Sequence, residues 1–139
     1  RPGSSFASDF MGRSNLIACE IVDVSAGLVR TAFGTLNCVV PPGIDRKGPH
    51  CVAVRPLAMT VSRARPGDAP GPNSFVGRLS EVTFLGDLVE GHVELAGVRL
   101  RAAMDPYAEI PAGESVRVDF GEGRCVVVND DMGAGAAAP

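Results

Sequence analysis

The stretch NSFVGRLSEVTFLGDLVEGHVELAGVRLRAAM, residues 73–104, decides the fold. In its second half Val89, Gly91, Val93 and Leu95 alternate with Glu90, His92 and Glu94, the period-two pattern of a strand with one buried face. Ala96 and Gly97 make a two-residue turn, after which Val98, Leu100, Ala102 and Met104 alternate with Arg99 and Arg101. Folding back across that turn sets Leu95 opposite Val98, Val93 opposite Leu100, and Glu94 opposite Arg99 as an expected cross-strand ion pair. Upstream, Leu79 and Val82 fall on opposite parities, so the strand over 75–85 is expected to bend, as one serving two sides of a small barrel does.

Working outward, the first half echoes this plan at an offset of roughly 60–65 residues, the signature of a duplicated module. LIACEIVDV at 16–24 changes parity between Ile21 and Val22 and should also bulge. Val29, Thr31 and Phe33 are expected to meet Leu36 and Cys38 across a turn at Gly34 and Thr35, and Cys51 to Val54 forms a further strand ending at Arg55-Pro56. Met59 to Ser62 adds a short edge. RPGDAPGP at 65–72 reads as a link, SVRVDF at 115–120 as a strand, and CVVV at 125–128 as a last short one. The expected organisation is therefore a connector at 1–15, a first OB-like module at 16–64, a linker at 65–72, a second module at 73–128 and a disordered tail at 129–139. The fold class is all-β: two small OB-like Greek-key barrels, separate or interlocked, with little helix.

Composition narrows function. With 139 residues, 45% hydrophobic and 21% charged, the chain can bury a real core, and its net charge of −3 argues against a nucleic-acid partner. No apolar run is long enough to span a membrane and no signal peptide is evident, which points to a cytoplasmic protein. Cys19, Cys38, Cys51 and Cys125 lack C-x-x-C spacing and read as buried, small hydrophobic residues. The pair Gly43 and Gly48 has the glycine spacing of a phosphate-binding loop, but Pro49 and His50 stand where a lysine and a hydroxyl are required. His92-Val93-Glu94 matches only the opening of a zinc deaminase signature. No catalytic, cofactor-binding or metal residues are expected. Phe75, Phe84 and Phe120 read as core aromatics rather than a base-stacking platform.

Several strings in order nevertheless carry a resemblance: NSFVG at 73–77, VTFLG at 82–86, GVRLR at 97–101 and AGESVRV at 112–118. To these the first half adds FASDFMGRSN at 6–15 and VAVRP at 52–56, with Leu57 where the pattern carries an acidic residue. The ensemble resembles the C-terminal transport-associated OB (TOBE-type) regulatory domain of ABC importer ATP-binding subunits of the polyamine and iron type. The resemblance implies a noncatalytic fragment, itself without cofactor. ATP and magnesium would belong to an ATPase domain upstream of Arg1. It further implies a homodimer, an ATPase domain on the same polypeptide as partner, membrane permease subunits in the complex, and a place in the cytoplasm against the inner membrane. A self-complementary patch is expected at Phe84, Leu85, Leu88 and Val89, whose apolar run exceeds the needs of one buried face. Arg55 and Arg78 are candidate anion contacts for the other reading, a free-standing oxyanion-binding protein of paired OB-like modules.

Overall fold

A computed structural model describes residues 14–68, 71–121 and 123–130. The expected connector turn at residues 8–12 and most of the tail at 129–139 lie outside the described residues. The described chain is nearly all strand: β1 (Asn15–Asp23), β2 (Leu28–Thr31), β3 (Gly34–Asn37), β4 (His50–Val54), β5 (Met59–Arg63), β6 (Ser74–Leu85), β7 (Leu88–Leu95), β8 (Val98–Met104), β9 (Ser115–Phe120) and β10 (Val126–Asn129). A single 3-10 turn, Pro56–Ala58, separates β4 from β5.

The β7–β8 hairpin forms in the expected register, with Leu95 opposite Val98 and Val93 opposite Leu100. Its turn residues Ala96 and Gly97 have φ of 49° and 83°, the left-handed pair whose twist suits a two-residue hairpin. The bends appear too: the β6–β7 register shifts between Leu79 and Glu81, and the β1–β2 register shifts between Ile21 and Asp23. Two details differ. Arg99 sits opposite Glu94 but pairs with Glu81 at 2.9 Å, reaching across β7 to β6, where Ser80 is the extra residue of the bulge and Glu81 comes opposite His92. The first hairpin turns at Ala32 and Phe33 rather than at Gly34 and Thr35. There the Thr31 hydroxyl donates to the Gly34 carbonyl at 2.7 Å and accepts from the Phe33 amide at 3.2 Å, which closes the turn two residues early. Phe33 is thereby released from the ladder to pack against Phe75 and Phe120, with ring centroids 5.0 and 5.8 Å away.

The ten strands form two sheets of the same plan, in the orders β10-β4-β1-β2-β3 and β5-β9-β6-β7-β8. The two halves are interlocked by exchange. β5, the last strand of the first half, pairs with β9, and β10, the last strand of the second half, pairs with β4. Neither sheet is therefore made from one half alone. The first sheet also curls on itself: Val39, just beyond β3, forms a parallel bridge with Val126 of β10 and closes an OB-type seam. No bridge of that kind joins β8 to β5 among the described residues.

Side chains from both halves form one continuous core, including Ile17, Val29 and Val52 from the first sheet and Leu79, Leu100 and Val116 from the second. Two asparagines fasten the halves. Asn15 at the start of β1 reaches across to β8, its Nδ2 donating to the Arg101 carbonyl and its Oδ1 accepting from the Arg101 amide, both at 2.8 Å. Asn73, just before β6, makes the mirror arrangement on β3. Its Oδ1 accepts from the Asn37 amide at 2.8 Å and its Nδ2 donates to the Asn37 carbonyl at 3.0 Å. Each amide thus acts as a one-residue strand partner for the third strand of the opposite half.

Candidate functional site

The 12-residue β6 and the start of β7 run past the core and end in a hairpin whose tip is apolar but uncovered. Leu85 pairs with Leu88 and Phe84 with Val89 across that tip. Phe84 is 75% exposed, Leu88 62% and Leu85 51%. Phe84 is therefore not a core aromatic, unlike Phe75 and Phe120, which are buried. Val89 corrects the expected patch in the other direction. It takes the parity opposite to Leu88, faces inward with Gly91 and Val93, and belongs to the core.

Beside the tip, the 3-10 turn after β4 presents Leu57, 76% exposed. Leu57, Leu85 and Leu88 line a groove of about 320 Å³, with Arg55, Arg101 and Glu90 among its polar lining. Leu57 was missed as a patch residue. The signal that could have found it is its place after Arg55-Pro56, where an apolar residue stands in a position that the family resemblance gives to an acidic one. A polar-rimmed apolar groove of this kind is the physical mark of a contact site, since single exposed leucines are ordinary but three lining one groove are not, and Phe84, paired with Val89, adds apolar surface on the other face of the same tip. Burying one such side chain is worth about 1.5–3 kcal/mol.

The candidate anion contacts are not brought together. Arg55 lines the apolar groove, whereas Arg78 lies on β6 before the bulge, opposite Glu94 and Ser115. His92 lies between two carboxylates, Nδ1 4.0 Å from Glu81 and Nε2 3.8 Å from Glu90, rather than in a constellation with Glu94. Among the described residues no group of three or more His, Cys, Asp or Glu side chains could hold a metal ion. His50 is buried with Nε2 2.7 Å from the Asp45 carbonyl, a structural contact. Asp23 has its carboxyl held below the usual range by the Ser25 hydroxyl and then by the Ala26 amide, which makes it a turn former on the surface. No helix of the described chain is long and apolar enough to cross a membrane.

Residues 52–128 match the TOBE domain. The chain is 32% identical over 130 residues to the Fe(3+) ions import ATP-binding protein FbpC 1 of Rhizobium meliloti, covering 92% of this chain and 35% of that protein. It is 29% identical over 107 residues to the spermidine/putrescine import ATP-binding protein PotA of Nitrosomonas europaea, covering 74% of this chain and 29% of that one. The chain thus spans about a third of the length of the curated relatives it matches. In three dimensions it is similar to the cytoplasmic molybdate-binding protein ModG solved with molybdate bound, with a TM-score of 0.61 at 12% identity, over 84% of this chain and 92% of that one. That likeness bears on the fold.

Proposed function

Since this chain belongs to the TOBE domain family, we propose that it is the regulatory and dimerising part of an ABC importer ATP-binding subunit, joined through residues 1–15 to an ATPase domain. On this reading ATP hydrolysis, with its magnesium, belongs to that upstream domain, and permease subunits at the inner face of the membrane complete the assembly. The relatives named for iron and polyamine import support a small cationic solute as the transported class. The interlocked sheets are the rigid body and the tip is the contact: Phe84, Leu85 and Leu88 meet the same patch of a second copy about a two-fold axis, with Leu57 at its edge. The observation that carries this reading is the exposure of those four side chains on a hairpin that extends beyond the core.

Phe84→Glu is the test. At an exposed tip the substitution should change unfolding stability by no more than about 0.5 kcal/mol. At the centre of an interface it should weaken self-association by at least roughly tenfold, the range of contact-site anchors. Denaturant unfolding reads the first, and sedimentation of the chain, and of an ATP-binding subunit containing it, reads the second. A Phe84→Glu chain that associates as the parent does would refute the patch.

The fold shared with a molybdate-binding protein favours a second reading, a small-oxyanion binder using Arg55 or Arg78. It predicts heat of binding when molybdate is titrated into the chain, reduced by Arg55→Ala or Arg78→Ala. A titration without heat and without a thermal shift at millimolar molybdate excludes it.

A further inference from the structure

The seam that closes the first barrel brings two of the four cysteines side by side. The Val39 amide donates to the Cys125 carbonyl at 2.8 Å and the Val127 amide donates to the Val39 carbonyl at 2.9 Å. With Val39 bridged in parallel to Val126, Cys38 falls directly opposite Cys125. Neighbouring strands lie ~4.8 Å apart, inside the ~4.4–6.8 Å between Cα atoms that a disulfide spans. The side chains also face each other. The Cys38 thiol donates a hydrogen bond to the Cys125 sulfur, which raises the Cys38 pKa, with burial adding to the effect, and lowers that of Cys125. Cys125 is fully buried, while Cys38 is half-buried and gives the pair an edge toward solvent. The other two thiols are different. Burial pushes Cys19 up to about 12 and Cys51 up to about 11, so both stay protonated and unreactive.

We propose that Cys38 and Cys125 are an oxidisable dithiol, closed by a hydroperoxide into a disulfide that locks the first barrel around the strand received from the second half. The Cys125 thiolate attacks the peroxide O–O bond, becoming a sulfenic acid and releasing one water. The Cys38 sulfur then attacks the sulfenic sulfur, forming the S–S bond and expelling hydroxide, which leaves as a second water. The two thiols lose two electrons and two protons, and hydrogen peroxide is reduced to water. The bond would fasten the stretch after β3 to β10, making the existing bridge covalent, and a dithiol reductant would reverse it.

The experiment uses the whole chain, reduced and then freed of reductant. After hydrogen peroxide treatment, unreduced peptides are mapped by mass spectrometry and remaining thiols are counted by alkylation. The expected product carries a Cys38–Cys125 link with Cys19 and Cys51 still alkylated, and its Val39 and Val127 amides exchange more slowly than in the reduced chain until dithiothreitol is added. Cys38→Ser should abolish the linked product and Cys19→Ser should leave it. Four alkylatable thiols after oxidation, or a link that runs through Cys19 or Cys51 instead, would overturn the proposal. Because the map is made on the parent chain, the outcome stands even if a variant folds poorly.

Discussion

Replacing Asn15 with alanine should lower the unfolding free energy by about 2–4 kcal/mol, since it strands the Arg101 amide and carbonyl and removes a third bond, Nδ2 to the Val54 carbonyl at 3.2 Å, each unmet group costing about 1–3 kcal/mol. At this chain length that corresponds to a fall in Tm of roughly 6–16 °C, at about 3–4 °C per kcal/mol. Asn15→Asp should be no better, because it keeps the acceptor toward the Arg101 amide but turns a carboxylate oxygen on two carbonyls. Asn73→Gly is the matching variant in the other half. Asn73 has φ of 55°, so glycine keeps the backbone at ease and isolates the loss of the two bonds to Asn37. Thermal unfolding followed by circular dichroism measures all three, with Thr60→Ala, on an exposed strand position, as a control that should stay within about 0.5 kcal/mol. An Asn15→Ala chain as stable as the control would mean that water replaces the amide.

Gly27→Ala should cost at least about 3 kcal/mol. Gly27 sits at φ of 67°, where an L side chain costs about 1–2 kcal/mol, and a Cβ there would collide with the carbonyl oxygen of Cys38. Backbone rather than a flexible side chain blocks the space, so relief requires Cys38 to move. Cys38 is held by the hydrogen bond that its amide donates to the Gly27 carbonyl at 2.7 Å and leads directly into the Val39 bridge, so its displacement opens the seam. Denaturant unfolding gives the magnitude. Hydrogen exchange gives the location: protection should fall first at Cys38, Val39 and Val127 and persist in the β7–β8 hairpin. Uniform loss across both sheets would contradict a seam-centred effect.

Which parts of this were legible depended on how local the deciding interaction is. The β7–β8 hairpin was readable to the residue because alternation and turn chemistry lie within seventeen consecutive positions, 88–104. Both bulges were readable as parity breaks at Leu79/Val82 and Ile21/Val22. The turn at Ala32 and Phe33 was not, because Phe33 continues an apolar alternation and only its packing partners in the other half pull it out of the strand. Strand exchange was invisible for a related reason. β5 and β10 are only five and four residues long, and nothing in either says which sheet it joins. Of the four residues expected at the surface from the excess length of an apolar run, Phe84, Leu85 and Leu88 are exposed, while Val89 is buried by simple parity. The asparagine clamps left no sequence signal except their repetition at the head of equivalent strands.

The exchanged strands also set an order of events at the ribosome. The edge that β10 fills beside β4 stays vacant until roughly 70 more residues have been made, which at ~5–20 residues per second is ~4–14 s of synthesis. Through that interval Val52, Ile17 and Val29 have no fifth strand above them and β4 has an unpaired edge, a template for mispairing with any nascent neighbour. A nascent chain of this design carries that open edge until Val126 emerges.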